Sequence, residues 1–483
     1  MTKSSLSQTL SAYGEVIRGQ QDAGKEHEPT PTEYFAVVSS TLGQADQSSP
    51  DFLAESLRIL DAVTAQAARA VVRGQFRSLS ATYLQIITLG TDNATILKAA
   101  LQALGSLLYV QECGDTFWSS ITALQCVNTL LSFLEDANMK LRRAAHDQLL
   151  RLLTLHQQQQ AGKALRCYVG DFCMGILRTC TRAEYKRSLY IVLFLESAAP
   201  LLPEEGRYSV GLLQAALGLQ AAGQPVLIAA ALRMVDCFFQ APEYNLQPAE
   251  TVACVSLLAS TPLQTKDMES NTYRYLSLGS GLVRLHRQLT LQAAPAEFFP
   301  SVCATLLQGC ETDFVQIHDA VSTVLKRVVG ECLDSVAVGA ALAHSLENSQ
   351  RSRKQKREAG PAPVLVQVAE VLEQLLDSRY QPAWLYVVSA CKSLFEKVKY
   401  AGASVGSAQG MSGQDVCAAL LPTLLTRLTA LFQDAENGVV KVESSTHLQL
   451  GEAVGSIVRC VGFSQFVTLV PFRSDESAAS ASA

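Results

Sequence analysis

The chain has 483 residues, of which 48% are hydrophobic, 17% charged and 7% aromatic. Its 39 Lys and Arg against 44 Asp and Glu leave a net charge of −5, which excludes a fold whose whole surface is built to neutralise phosphates and confines any RNA contact to a local patch. Length allows several domains or one extended repeat array, and the apolar share fits a chain that folds by burying helix surface with Leu, Ala and Val.

The first thirty residues carry Lys3, Glu15, Arg18, Asp22, Lys25 and Glu26 with no long apolar run, so no secretory signal is read there and the protein is expected to start in the cytosol. Residues 1–29 read as a flexible N-terminal segment. From residue 30 to 340 apolar residues recur at helical spacing and sustained period-two alternation is absent, so the fold class is all-α. Similar segments return along this stretch: NATILKAALQALGSLL from Asn93, NMKLRRAAHDQLLRLL from Asn138, AEYKRSLYIVLFLESA from Ala183, QPVLIAAALRMVDCFF from Gln224, NTYRYLSLGSGLVRLH from Asn271 and DFVQIHDAVSTVLKRV from Asp313. Successive starts differ by 45, 45, 41, 47 and 42 residues, the period of a HEAT/armadillo-type α-solenoid, a superhelix of antiparallel helix pairs. One helical hairpin cannot bury both of its apolar faces alone and has to stack on a neighbour.

Within the second of these segments Leu141, Ala145, Leu149 and Leu152 form one stripe, while Lys140, Arg143 and Asp147 project elsewhere. Small residues such as Ala99, Ala100, Ala144, Ala145, Ala229 and Ala230 mark close helix crossings. Gln157 to Gln160 reads as a loop. Tyr208 to Leu232 carries no charge, but Gln214, Gln220 and Gln224 interrupt it and Gly223-Gln224-Pro225 reads as a turn between buried helices, so no membrane span is expected. Residues 341–363 form a basic loop containing Pro and Gly, and residues 364–473 continue the helical repeats, with YQPAWLYVVSACKSLFEKV from Tyr380 and THLQLGEAVGSIVRCV from Thr446 separated by a Gly/Ser/Ala-rich stretch from Ala401 to Gly413. The tail, residues 474–483, reads as disordered.

Chemistry is sparse. There is no phosphate-binding G-x4-G-K-[ST] loop, no H-E-x-x-H and no dinucleotide glycine fingerprint, so neither cofactor nor catalytic residue is assigned. Gly402-Ala-Ser404-Val-Gly406 matches G-x-S-x-G, but no strand precedes it and it is expected in the Gly/Ser-rich loop rather than at a nucleophile elbow. Cys167, Cys173 and Cys180 are spaced C-x5-C-x6-C, without the C-x2-C knuckle of structural zinc sites, and the histidines form no H-x3-H pair, so no metal is expected. The thiols read as free and mostly buried. Trp118 and Trp384 read as core anchors. The candidate RNA-contact or nuclear-import cluster is Arg351, Arg353, Lys354, Lys356 and Arg357, five cations in seven residues flanked by helix breakers. Lys140, Arg142 and Arg143 form a smaller candidate surface, to be weighed against an ordinary exposed helix face.

Several blocks resemble the N-terminal half of the ribosomal RNA-processing protein 12 family, nucleolar HEAT-repeat proteins. They are TPTEYFAVVSSTL from Thr30, NMKLRRAAHDQLLRLL from Asn138, YQPAWLYVVSACKSLFEKV from Tyr380 and LQLGEAVGSIVRCVGFSQFVTLVPF from Leu448, which span roughly residues 30 to 472 in the family's order. The resemblance implies pre-ribosomal particles as partners, meaning pre-rRNA and small-subunit assembly factors. It also implies a role in pre-rRNA processing and pre-40S assembly and export, and residence in the nucleolus and nucleus with shuttling to the cytoplasm. It supplies no catalytic residues. Family members are longer, with further repeats and a lysine-rich C-terminal region that has no counterpart here.

A non-catalytic ribosome-assembly scaffold, holding partners by many shallow contacts, is therefore the first reading. The second is an importin-like transport adaptor, whose acidic concave face would bind basic cargo and a Ran-type GTPase. An enzyme would need a convergent polar cluster that the sequence does not display. No small-molecule substrate is expected.

Overall fold

The computed structural model describes residues 2–20, 27–42, 50–89, 93–112, 114–203, 211, 214–219, 223–241, 246–261, 267–350, 362–407 and 410–470. The described residues are mostly helical, with no strand among them. The chain forms two compact units, one up to Leu227 and one from Ile228.

In the first unit the helices are α1 (Thr2–Gly19), α2 (Pro31–Leu42), α3 (Pro50–Thr64), α4 (Arg69–Gly74), α5 (Phe76–Leu89), α6 (Ala94–Tyr109), α7 (Asp115–Trp118), α8 (Ile121–Ser132), α9 (Met139–Gln158), α10 (Lys163–Arg178) and α11 (Tyr185–Ala198). They pair as α2 with α3, α5 with α6, α8 with α9 and α10 with α11, and the second helices stack in series, α3 on α6, α6 on α9 and α9 on α11. Local chemistry starts them. Asn93 caps α6 by accepting from the Thr95 and Ile96 amides at 3.0 and 3.3 Å, and Asn138 caps α9 through the Lys140 amide at 3.0 Å. At α2, Thr30 and Glu33 cap each other reciprocally, with Pro31 following as the first helical residue.

Because α6 is packed on two sides, it buries residues around most of its circumference, including Leu97, Leu101, Leu104, Leu107 and Leu108. Each such leucine contributes about 1.5–3 kcal/mol. At Gly105 a Cβ would lie 2.4 Å from the Gln148 carboxamide oxygen on α9, so only glycine admits this crossing.

In the second unit the helices are α12 (Pro225–Gln240, within which the division between units falls), α13 (Pro248–Ser260), α14 (Met268–Gln288), α15 (Phe298–Cys310), α16 (Val315–Arg327), α17 (Ser335–Gln350), α18 (Val364–Leu375), α19 (Trp384–Gly406), α20 (Gly413–Leu420), α21 (Pro422–Glu436), α22 (Ser444–Val461) and α23 (Phe463–Leu469). The same pairing recurs as α13 with α14, α15 with α16, α18 with α19 and α21 with α22, and both the first helices and the second helices stack in series.

A polar rung repeats in both units. Ser106 on α6 donates to Asp61 on α3 at 2.6 Å and receives from Arg151 on α9 at 3.2 Å. In the second unit Ser280 on α14 donates to Asp236 on α12 and receives from Arg327 on α16 at 2.7 Å. Each bond spans close to one repeat, 45 and 45 residues in the first unit and 44 and 47 in the second. Buried arginines add a second recurrent device. Arg274, 3% exposed, donates to the Leu258 and Ala259 carbonyls at 2.7 and 2.9 Å, and so satisfies the last turn of α13.

Four sequence expectations change. The segment before Thr30, read as flexible, holds α1, because Tyr13 and Ile17 lie one turn apart and are buried, with the Tyr13 hydroxyl 2.9 Å from Ser56. The loop expected from residue 341 starts later, since α17 runs through Gln350. The polar run Gln157–Gln160, read as a loop, supplies the end of α9 through Gln158. The Gly/Ser/Ala-rich stretch from Ala401 is helical through Gly406, its small residues making room for α20: a Cβ at Gly402 would lie 2.9 Å from Val416. The tail expected to be disordered, residues 474–483, lies outside the described residues.

Candidate interaction surface

The basic cluster Arg351, Arg353, Lys354, Lys356 and Arg357 lies outside the described residues. The second cluster, Lys140, Arg142 and Arg143, lies at the start of α9, and its members have different surroundings. Arg142 is half-buried and turned back on its own repeat. It donates to the Asp136 and Ala137 carbonyls at 2.7 and 2.9 Å and lays its guanidinium over the Tyr190 ring, 3.9 Å from the centroid. Lys140 and Arg143 are exposed and carry no hydrogen bond or ion pair among the described residues.

Arg142 and Arg143 border a groove of about 260 Å³, which is also lined by Leu134, Met139, His146, Tyr190, Leu193 and Phe194. A single 3-10 turn, Phe133–Glu135, positions Leu134, while α11 brings Tyr190, Leu193 and Phe194 against α9. Leu134 and Phe194 form a buried floor at 3% and 2% exposure; Met139 and Leu193 form open walls at 52% and 41%. His146 packs edge-on to Phe194 at 5.5 Å, and burial lowers its pKa despite Asp147 3.6 Å away, which keeps the imidazole neutral. Glu135 lies at the edge of the turn and is paired with Arg187. Among the described residues no carboxylate lines the groove. The arrangement can seat an apolar side chain beside cationic groups. Helical periodicity alone gave no sign of it, because Met139 and Leu193 read like any other apolar helix residues.

Among the described residues most cysteines and both tryptophans are spent on packing. The described cysteines are thiols and are mostly buried, which pushes Cys126, Cys303, Cys310, Cys332 and Cys417 up to about 12 and suppresses the nucleophilic thiolate. Cys173 is fully buried on α10, Cys167 and Cys180 are half-buried, and among the described residues no three His, Cys, Asp or Glu side chains converge as a metal site. Ser404 lies inside α19 rather than in a loop, its hydroxyl donating to the Ala401 carbonyl at 2.8 Å. Trp118 and Trp384 are each 1% exposed, as core anchors should be. No single helix among the described residues is long and apolar enough to cross a membrane; Gly223, at φ +62°, stands in the expected turn ahead of α12.

Two family models match the chain: RRP12-like, N-terminal HEAT repeats, over residues 22–244, and Ribosomal RNA-processing protein 12, HEAT repeats, over residues 311–483. No curated protein matches by sequence. Among solved structures, a Kap121p mutant aligns with a TM-score of 0.51 at 13% identity, covering 99% of this chain and 49% of that one. Kap121p bound to Nup53p aligns at 0.47 and 13% identity, covering 100% and 52%. An engineered protein aligns at 0.36 and 13% identity, covering 87% and 98%. The chain spans about half the length of these Kap121p chains. Likeness at this identity shows the α-solenoid fold alone.

Proposed function

The chain belongs to the ribosomal RNA-processing protein 12 family, and on that premise we propose that it is a non-catalytic scaffold in ribosome biogenesis, acting in pre-rRNA processing and in small-subunit (pre-40S) assembly and export. What carries the reading is the pair of family matches, which together take in most of both units. The fold supports it physically: stacked helix pairs present a wide surface for many shallow contacts, and HEAT-repeat families typically act as scaffolds rather than as catalysts. The partners are pre-rRNA and small-subunit assembly factors, and the place of action is the nucleolus and nucleus, with shuttling to the cytoplasm. Arg351, Arg353, Lys354, Lys356 and Arg357 are assigned to RNA contact or nuclear import, since clustered cations neutralise phosphates locally whatever the net charge.

The test is affinity purification of the tagged chain from its native cells, with and without ribonuclease, followed by identification of bound protein and RNA. Pre-rRNA and small-subunit assembly factors are the expected yield, and ribonuclease sensitivity reports whether RNA bridges them. Recovery of soluble cargo and a Ran-type GTPase without pre-rRNA would replace this reading with the importin-like one.

A further inference from the structure

The start of α9 breaks a local rule. A helix N-terminus carries the positive end of the macrodipole and favours acidic residues, yet α9 has none in its first turn and has Lys140 and Arg142 there instead, with Arg143 following. Arg142 is accounted for by two backbone carbonyls and the Tyr190 ring. Lys140 and Arg143 make no hydrogen bond or ion pair among the described residues, the Asp136 carboxylate accepting instead from the Asn138 amide at 2.6 Å, and they stand exposed beside an open apolar groove. Local rules broken without internal compensation concentrate at functional positions.

We propose that this groove docks a short acidic segment of a partner protein, which seats one apolar side chain between Met139 and Leu193 and sets its carboxylates against Arg143 and Lys140. The inference rests on the scaffold reading, since it gives the chemical class of one partner. Size favours a side chain: the groove, about 260 Å³, falls below the roughly 300–1,000 Å³ of small-molecule sites. The lining favours an apolar one, with Leu134 and Phe194 as a dry floor and the adaptable thioether of Met139 as a wall. Charge favours acidic flanks, because the charged groups among the described lining residues are arginines and the neighbouring Glu135 is neutralised by Arg187.

RNA fits this place less well. Base recognition needs an open aromatic face. The Tyr190 face is covered by Arg142, and Phe194 is buried with its ring against His146.

Peptides selected on the whole chain from a random displayed library, then made with a fluorophore, test the proposal by titration against the wild type, Leu193→Asp and Arg143→Glu. The expected peptides share acidic residues around a leucine, phenylalanine or methionine. Leu193→Asp should weaken them by more than about tenfold, the signature of a seated anchor. Arg143→Glu should weaken them by a few-fold, an effect that shrinks as salt is raised, as a rim charge requires. Both positions are exposed, and unchanged far-ultraviolet circular dichroism shows that each variant folds. Failure to enrich peptides, peptides without acidic bias, or affinities unchanged in both variants overturns the proposal. So does a single-stranded oligouridylate that binds the wild type and is lost in both variants, which would make the groove a nucleic-acid surface. Expected peptide binding alongside a tagged chain that recovers no pre-rRNA keeps the groove and removes the scaffold; the opposite pair of results keeps the scaffold and removes the groove.

Discussion

Acid should loosen the first unit at His156. This side chain lies on α9 at 1% exposure, edge-on to Trp118 with ring centroids 4.8 Å apart, and neither of its ring nitrogens has a hydrogen-bond partner among the described residues. Burial lowers its pKa to about 4, helped by the Arg166 charge and opposed by Asp115. The folded chain therefore holds the imidazole neutral, while the unfolded chain takes up a proton near the ordinary value of 6.5. Stability is whole above the unfolded pKa, declines as pH falls from there toward the folded value, and levels off below it. The interval is roughly 2.5 units, or on the order of 3 kcal/mol at about 1.36 kcal/mol per unit, of which about 2.5 kcal/mol is gone by about pH 4.5. Hydrogen exchange of the peptides spanning Asp115–Trp118 and Met139–Gln158, corrected for intrinsic rates, reads this directly in the wild type and in His156→Leu. Between about pH 7 and about pH 4.5 the wild type should lose roughly fiftyfold more protection than the variant. Equal losses in the two proteins would refute the reasoning, because carboxylates and the other histidines titrate alike in both.

Two further perturbations probe the joints between repeats. Arg274→Ala leaves the Leu258 carbonyl buried and unpaired and strips one of two donors from the Ala259 carbonyl, which Thr305 still reaches at 3.1 Å; a loss of about 3 kcal/mol is expected in the urea unfolding of the second unit. Ser280→Ala removes the hydroxyl that links Asp236 to Arg327 and should lower the same transition by about 1–3 kcal/mol. It should also push the Asp236 carboxyl, already raised by burial, further up, which titration followed by carboxylate NMR would detect.

The repeat was legible in the sequence because the second helices announce themselves. Asn93 and Asn138, which open two of the recurring segments, are the capping residues of α6 and α9. The next starts were less sharp: the segment read from Asn271 begins within α14, whose cap is Asp267, since the hidden face of that helix includes polar Ser270 and Asn271. Buried arginines were invisible for a different reason. Arg274 sits in a tyrosine-rich stretch with no charge pattern around it, and the carbonyls that hold it lie 15 and 16 residues earlier, in another helix. The cluster at Lys140, Arg142 and Arg143 was legible as charge but not as a split between one inward and two outward side chains, because the Asp136 and Ala137 carbonyls and the approach of Tyr190 from α11 separate them. Glycine and alanine between residues 401 and 406 suggested a loop, when their smallness answers to the closeness of α20.

The rungs also decide where the chain tolerates changes of length over evolution. Inserting one residue in α6 ahead of Ser106 turns the rest of the helix by about 100°, which would swing the hydroxyl away from both Asp61 and Arg151. Length added between helices leaves such links intact. In the second unit Ser322 still reaches the Tyr386 carbonyl across 64 residues, and Ser456 reaches Glu396 across 60, where the spacing elsewhere is near 45. Insertions and deletions are thus expected to accumulate in the connections, while the second helix of each pair keeps its count residue for residue.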